Sequence, residues 1–99
     1  MGKFVQIIQF NTARIDEIRK LEEEYRAATE SKRTSTRATV AVDRDDPTRH
    51  FVIVEFPSKE AAEKNNALPE TADFAQKRMP LVDGPPTFYN LDVVEVEEL

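Results

Sequence analysis

Apolar residues fall into six successive segments along this chain, spaced as strand, helix, strand, strand, helix and strand. Phe4 to Phe10 form a short apolar run of strand length, after which Ile15, Ile18, Leu21, Tyr25 and Ala28 recur at helical spacing. Asn11 or Thr12 is expected to open that helix, Asp16 and Glu17 favour its positive end, and it is expected to run to about Glu30. Its outer face is assigned Arg19, Lys20, Glu22, Glu23, Glu24 and Arg26, a solvated mixture. Two β-rich runs follow, Arg37 to Val42 and His50 to Phe56, separated by the charged turn Asp43-Arg44-Asp45-Asp46-Pro47. Ser58 is placed to cap a second helix carrying Ala61, Ala62, Ala67 and Leu68 inward. Pro69 breaks it, and a continuation spans about Glu70 to Met79. Asp83-Gly84-Pro85-Pro86 turns the chain into a last strand, Phe88 to Val96.

The order is therefore βαββαβ, an α+β, ferredoxin-like plan: an antiparallel sheet with helices on one face. The strands are apolar on both sides. Ile7 with Ile8, Val52 to Val54, and Val93 with Val94 point to opposite faces, whereas a sheet covered by helices on one side normally shows polar residues on the other. A second copy laid sheet to sheet would bury that face, so a homodimer is expected.

At 99 residues the chain is read as one domain, 1–99. Its net charge of −5 is spread among interspersed acids and bases. No cationic stripe is available to hold a polyanion, so nucleic acid is not expected as a partner. Zero cysteines exclude disulfides, thiolate catalysis and iron–sulfur ligation, and one histidine leaves little for a transition metal. No apolar run approaches the roughly 20 residues that span a bilayer. The reading is a cytoplasmic protein with neither membrane nor metal. With only Gly2 and Gly84 there is no glycine-rich phosphate loop, and Asp43, Asp45 and Asp46 lack the glycine and distal glutamate of a calcium loop.

Chemistry must then come from few residues. Tyr25 offers a phenol from the inward helix face, or packs there with its hydroxyl satisfied. Arg78 can clamp a carboxylate or enolate with two parallel N–H donors, or bridge to surface acids. His50, at the start of its strand beside Arg49, has no visible partner for general-base work and reads as a strand-end residue.

With these residues placed, the chain resembles the antibiotic-biosynthesis-monooxygenase-like family of dimeric α/β barrels. The resemblance lies in Val52-Ile53-Val54-Glu55-Phe56-Pro57-Ser58-Lys59-Glu60-Ala61-Ala62, in Phe74, and in Pro86-Thr87-Phe88-Tyr89-Asn90-Leu91-Asp92-Val93, which is similar to a last strand common in bacterial members. It implies a homodimer through the sheet face and a cavity between helices and sheet for a small aromatic or polyketide-like molecule. It implies Gln6 as a ligand-bonding amide, Phe74 as a cavity aromatic, and Glu55 on the helix-covered side. Two family positions differ. Pro57 stands where oxygenase members carry tryptophan, and Arg78 where haem-degrading members carry an axial histidine; a guanidinium cannot ligate iron, so no cofactor is expected.

The site set is thus Gln6, Tyr25, Glu55, Phe74 and Arg78. Three functions compete: a cofactor-independent monooxygenase, a non-catalytic metabolite-binding or structural dimer, and an RNA-recognition-motif-like module. Arg49 to Phe56 resembles the third-strand signature of the last, but Ile53 replaces its second stacking aromatic and His50 its glycine.

Overall fold

The computed structural model describes residues 2–99. Its elements are β1 (Phe4–Asn11), α1 (Ile15–Ala28), β2 (Arg37–Val42), β3 (Arg49–Phe56), α2 (Lys59–Asn66), α3 (Pro69–Arg78) and β4 (Thr87–Asp92), with one 3-10 turn at Met79–Leu81. The strands form one antiparallel sheet in the order β2-β3-β1-β4, the ferredoxin-like arrangement expected from the sequence.

Register sorts the side chains. Phe4, Gln6, Ile8 and Phe10 pair with Phe56, Val54, Val52 and His50, and in β4 with Asp92, Asn90 and Phe88. That face meets the helices: Phe4, Phe56 and Ala62 of α2 form a buried cluster against Val54 and Ala61. The alternate residues Val5, Ile7, Phe51, Ile53, Tyr89 and Leu91 form the opposite, uncovered face. Tyr89 and Leu91 are each 44% exposed, so apolar surface does occupy both sides of the sheet.

Local boundaries follow hydrogen bonding. Ser58 caps α2 as expected, its Oγ accepting from the Ala61 amide at 3.0 Å. Pro69 ends one helix by opening the next, taking the first-turn position where its missing N–H costs nothing. Gly84 takes φ +82° in the turn before β4, a left-handed value natural to glycine.

Three boundaries differ from the expectation. Asn11 still belongs to β1, paired with Arg49, so α1 starts only at Ile15. Thr12 is not its cap. Its Oγ1 accepts from the Arg14 amide and donates to the Leu81 carbonyl at 2.6 Å, tying the end of β1 to the 3-10 turn. α1 ends at Ala28 because Thr29 closes on Tyr25, donating both its amide and its hydroxyl to that carbonyl. β4 stops at Asp92, opposite Phe4 at the start of β1, because no further strand residue remains to pair with; Val93 makes one last bond to the Lys3 carbonyl. Val94 and Val96 are consequently exposed rather than part of the sheet.

The acidic turn is held by its own chain. Asp43 accepts from the Asp45 amide, Asp46 from the Thr48 amide and hydroxyl, and Arg49 lies 3.3 Å from Asp43. Among the described residues, no group of three or more His, Cys, Asp or Glu side chains could hold a metal ion.

Candidate functional site

The interior between helices and sheet is unusually polar. Gln6, Thr12, Glu22, Thr29, His50, Asn65 and Arg78 are all buried, outnumbering the buried apolar residues Phe4, Phe10, Ile18, Phe56 and Ala62. Buried polar groups normally carry hydrogen bonds, so the ones without them identify where the fold is incomplete on its own.

Four of the seven are bonded within the protein. Thr12 and Thr29 bond as described above. Asn65 donates to the Tyr25 hydroxyl at 3.1 Å and accepts from the Thr34 amide, while Thr71 shares a 2.9 Å bond with the same phenol. This network ties α1, α2 and α3 together. The hydroxyl of Tyr25 is therefore engaged, and what Tyr25 presents is its ring, 5.2 Å from Phe74. Gln6, on β1 beneath the helices, donates to Asn90 Oδ1 on β4 at 3.1 Å.

Arg78 is different. It lies at the last turn of α3 and is only 6% exposed, yet it makes no hydrogen bond or ion pair with any described side chain or carbonyl. Its guanidinium sits over the Phe74 ring, 5.3 Å from the centroid. Burial pulls its pKa below the ordinary value, with the charge of Glu22 opposing. A guanidinium holds its proton all the same, and since its nitrogens are not among the solvent-excluded atoms left without a partner, the charge is desolvated only in part and is offset in part by Glu22.

Glu22 comes from the facing helix and is 7% exposed. Desolvation pushes its carboxyl pKa up, while Arg19, Arg26 and Arg78 pull it down. Arg19 Nε forms an ion pair with Oε1 at 3.7 Å, too long for a hydrogen bond, so Oε1 has a counter-charge but no hydrogen-bond partner. The expectation of Glu22 on the solvated outer face is thus corrected. The signal lay in the spacing: Ile15, Ile18, Glu22 and Tyr25 follow the same 3–4 stripe, so Glu22 occupies an apolar position.

Glu55 is also corrected. It pairs in register with Val5 and Arg37, alternating with Val54 and Phe56, and so projects to the uncovered face, where Arg37 lies 3.8 Å away. Strand alternation forbids the helix-covered position implied by the resemblance. The structure brings Tyr25, Phe74 and Arg78 into one stack, places Gln6 on the sheet below the helices, and removes Glu55.

His50 is a strand-end residue but a buried one, stacked on Phe10 at 5.7 Å with Nε2 unpartnered. Burial lowers its pKa from the ordinary 6.5, Asp46 opposing. The unfolded chain then binds the proton more readily than the folded one. Stability from the neutral imidazole is present above the unfolded value and is lost as pH falls through the folded one. Thermal unfolding followed from about pH 7 to about pH 5 should show a decline that His50→Gln flattens.

Two open grooves flank the helices, and neither is lined by Arg78 or Glu22. One of about 110 Å³ between α1 and α3 is lined by Leu21, Tyr25, Phe74 and Lys77, among others. The other, about 400 Å³ between α2 and β4, has Phe4, Lys59, Asn66 and Asn90 on its walls, the last being the partner of Gln6.

No known family's sequence profile matches the chain, and no curated protein matches it in sequence. Solved structures do. SnoaB, a cofactor-independent oxygenase from Streptomyces nogalater, superposes with a TM-score of 0.82 at 13% identity over 97% of each chain. An antibiotic biosynthesis monooxygenase gives 0.75 at 20% identity, covering 93% of this chain and 99% of that one. A conserved protein from Methanosarcina mazei gives 0.82 at 8% identity over 93% of each. At these identities the likeness is one of fold. The chain has the fold of the proteins named antibiotic biosynthesis monooxygenases, a ferredoxin-like βαββαβ sheet with helices on one face.

Proposed function

We propose that this chain forms a cytoplasmic homodimer that binds a planar phenolic, enolic or polyketide-like molecule between its helices and sheet, with the ligand oxygen held as an anion by Arg78. The observation that carries this reading is Arg78, 6% exposed as a residue, with its guanidinium over Phe74 and its nitrogens open to an incoming acceptor rather than shut off from solvent. A structural arginine would have a carboxylate or carbonyl against it. An anion-binding arginine is left without one until the ligand arrives.

The enzymatic form is a cofactor-independent oxygenase. Arg78 would lower the energy of a substrate phenolate or carbanion, leaving the electron-rich substrate itself to reduce oxygen. The likeness to SnoaB supports this form; Pro57, where oxygenase members of the resembled family carry tryptophan, supports binding without turnover. Gln6 and Asn90 supply a neutral amide pair for a second ligand oxygen, and Tyr25 and Phe74 an aromatic wall. The 110 Å³ groove beside Phe74 is smaller than the roughly 300–1,000 Å³ of typical ligand pockets, whereas the 400 Å³ groove beside Asn90 falls within that range. Dimerisation covers Val5, Ile7, Phe51, Ile53, Tyr89 and Leu91.

Arg78→Met separates binding from stability. The variant should weaken binding of a naphthol probe about 10- to 100-fold by calorimetry, the worth of a charge-assisted hydrogen bond. Its unliganded thermal stability should change little, because relief of a partly desolvated charge is set against the lost contact with Phe74 and the lost counter-charge of Glu22. Undiminished affinity would remove Arg78 from the site. Oxygen uptake with naphthol and anthrone substrates, measured on the same wild-type protein, distinguishes the oxygenase from the binding protein.

A further inference from the structure

We propose that residues 93–99 form an exchange arm, which crosses from the end of β4 to the free edge of β2 in a second copy of this chain. The inference rests on the proposed sheet-to-sheet homodimer and adds the direction of its two-fold axis. It begins from a strand pattern that lacks a sheet. Val94-Glu95-Val96-Glu97 alternates β-branched and acidic residues as a half-buried strand does, yet pairing stops at the bond from Val93 to the Lys3 carbonyl. Beyond it Val94 is 96% exposed and Val96 69%. Apolar side chains left in water on a strand-like segment mark a surface that a partner covers.

Register places that partner. Asp92 of β4, Phe4 of β1 and Phe56 of β3 share one row across the sheet, and one step away Glu55 pairs with Arg37, the first residue of β2. The end of β4 and the start of β2 therefore sit at the same end of the sheet, on opposite edges. Among the described residues, no strand lies outside β2. A two-fold axis between the sheets and parallel to the strands lays β4 of one copy over β2 of the other with these ends together. An axis across the strands lays β4 on β4 with ends reversed, and the arm cannot reach β2. Distance favours exchange over folding back. Packed sheets are about 10 Å apart, so crossing takes about three extended residues and leaves the others to pair. The arm's own β2 is three strand spacings away, about 14 Å, and rounding that edge strand consumes nearly the whole segment.

Charge selects the same place. The arm carries Glu95, Glu97 and Glu98, and the approach to β2 carries Lys32, Arg33 and Arg37. Lys32 is paired with Glu70, but Arg33 donates only to the Arg26 carbonyl, which leaves its charge without an acid. The Arg37 side chain is 73% exposed, and its 3.8 Å pairing with Glu55 is too long for a hydrogen bond. It shares the uncovered face with Glu55 and so meets the second copy directly. The other free edge, β4, has no basic residue to receive the arm.

The chain has no cysteine, so one introduced cysteine per chain makes every thiol crosslink intermolecular. Val96→Cys and Thr36→Cys proteins are co-refolded from urea and treated with a short bismaleimide. The expected product is a mixed covalent dimer, in excess over either like-with-like product. Sedimentation velocity on the wild-type protein separates the two readings. A dimer whose cysteine variants give no such excess overturns the arm and leaves the sheet-to-sheet dimer standing; a monomer overturns both. In a second measurement, Glu95→Lys with Glu97→Lys should weaken dimerisation about tenfold, and adding Arg33→Glu with Arg37→Glu to the same chain should restore it. Far-ultraviolet dichroism should stay native throughout. Weakening without restoration puts the arm away from β2 and overturns the proposal.

Discussion

Replacing Phe56 by alanine should lower the unfolding free energy by about 3–5 kcal/mol. Phe56 is 1% exposed at the end of the central strand β3, with Phe4 at 6.5 Å and Ala62 of α2 completing the largest wholly apolar cluster. Little else can take its place. The remaining interior is largely polar, so the cavity cannot be filled by neighbouring aliphatic side chains moving in, and both transfer and cavity terms apply in full. A chain of this length has a total stability of about 5–15 kcal/mol, so the variant would be marginal at room temperature. Urea titration followed by circular dichroism checks this: a midpoint loss at unchanged slope is expected, and a change below about 1 kcal/mol would mean that α2 does not seat on Phe56.

Ile53→Glu should convert the proposed homodimer to a folded monomer. Ile53 is in the centre of the uncovered face, beside Ile7 of β1 and Thr39 of β2. In the free chain that position borders solvent, so a carboxylate there costs the monomer little. In a sheet-to-sheet dimer it would be desolvated in each copy, close to its own symmetry mate. Burying an unpaired charge costs several kcal/mol per copy, which weakens association by about three orders of magnitude or more. Sedimentation velocity should show a monomer with native far-ultraviolet dichroism. A dimer that persists would place the interface elsewhere.

The architecture was readable in advance because strand and helix periods differ and each is repeated long enough to detect. Phe4 to Phe10 is an apolar run too short for anything but a strand, and Pro69 and Ser58 announce helix ends by hydrogen-bond arithmetic alone. Ends that depend on a neighbour were less legible. Val93 to Val96 has the composition of a strand, yet β4 stops at Asp92 because β1 has no residue left to pair with it. Side-chain roles were harder still. Arg78 was identifiable as a clamp from its chemistry, but its isolation depends on the surrounding elements folding without offering it a carboxylate. Glu22 was assigned to the outer face by charge, although its spacing from Ile18 and Tyr25 places it inside. Glu55 followed the resemblance rather than the register, and a single step of strand alternation moved it to the other face.

The most direct test of the account is a crystal structure of the protein grown with 4-nitro-1-naphthol. The account predicts the naphtholate oxygen within hydrogen-bond distance of the Arg78 guanidinium and its rings against Phe74. An interior closed by a direct ion pair between Arg78 and Glu22, with the probe elsewhere on the surface, would contradict it.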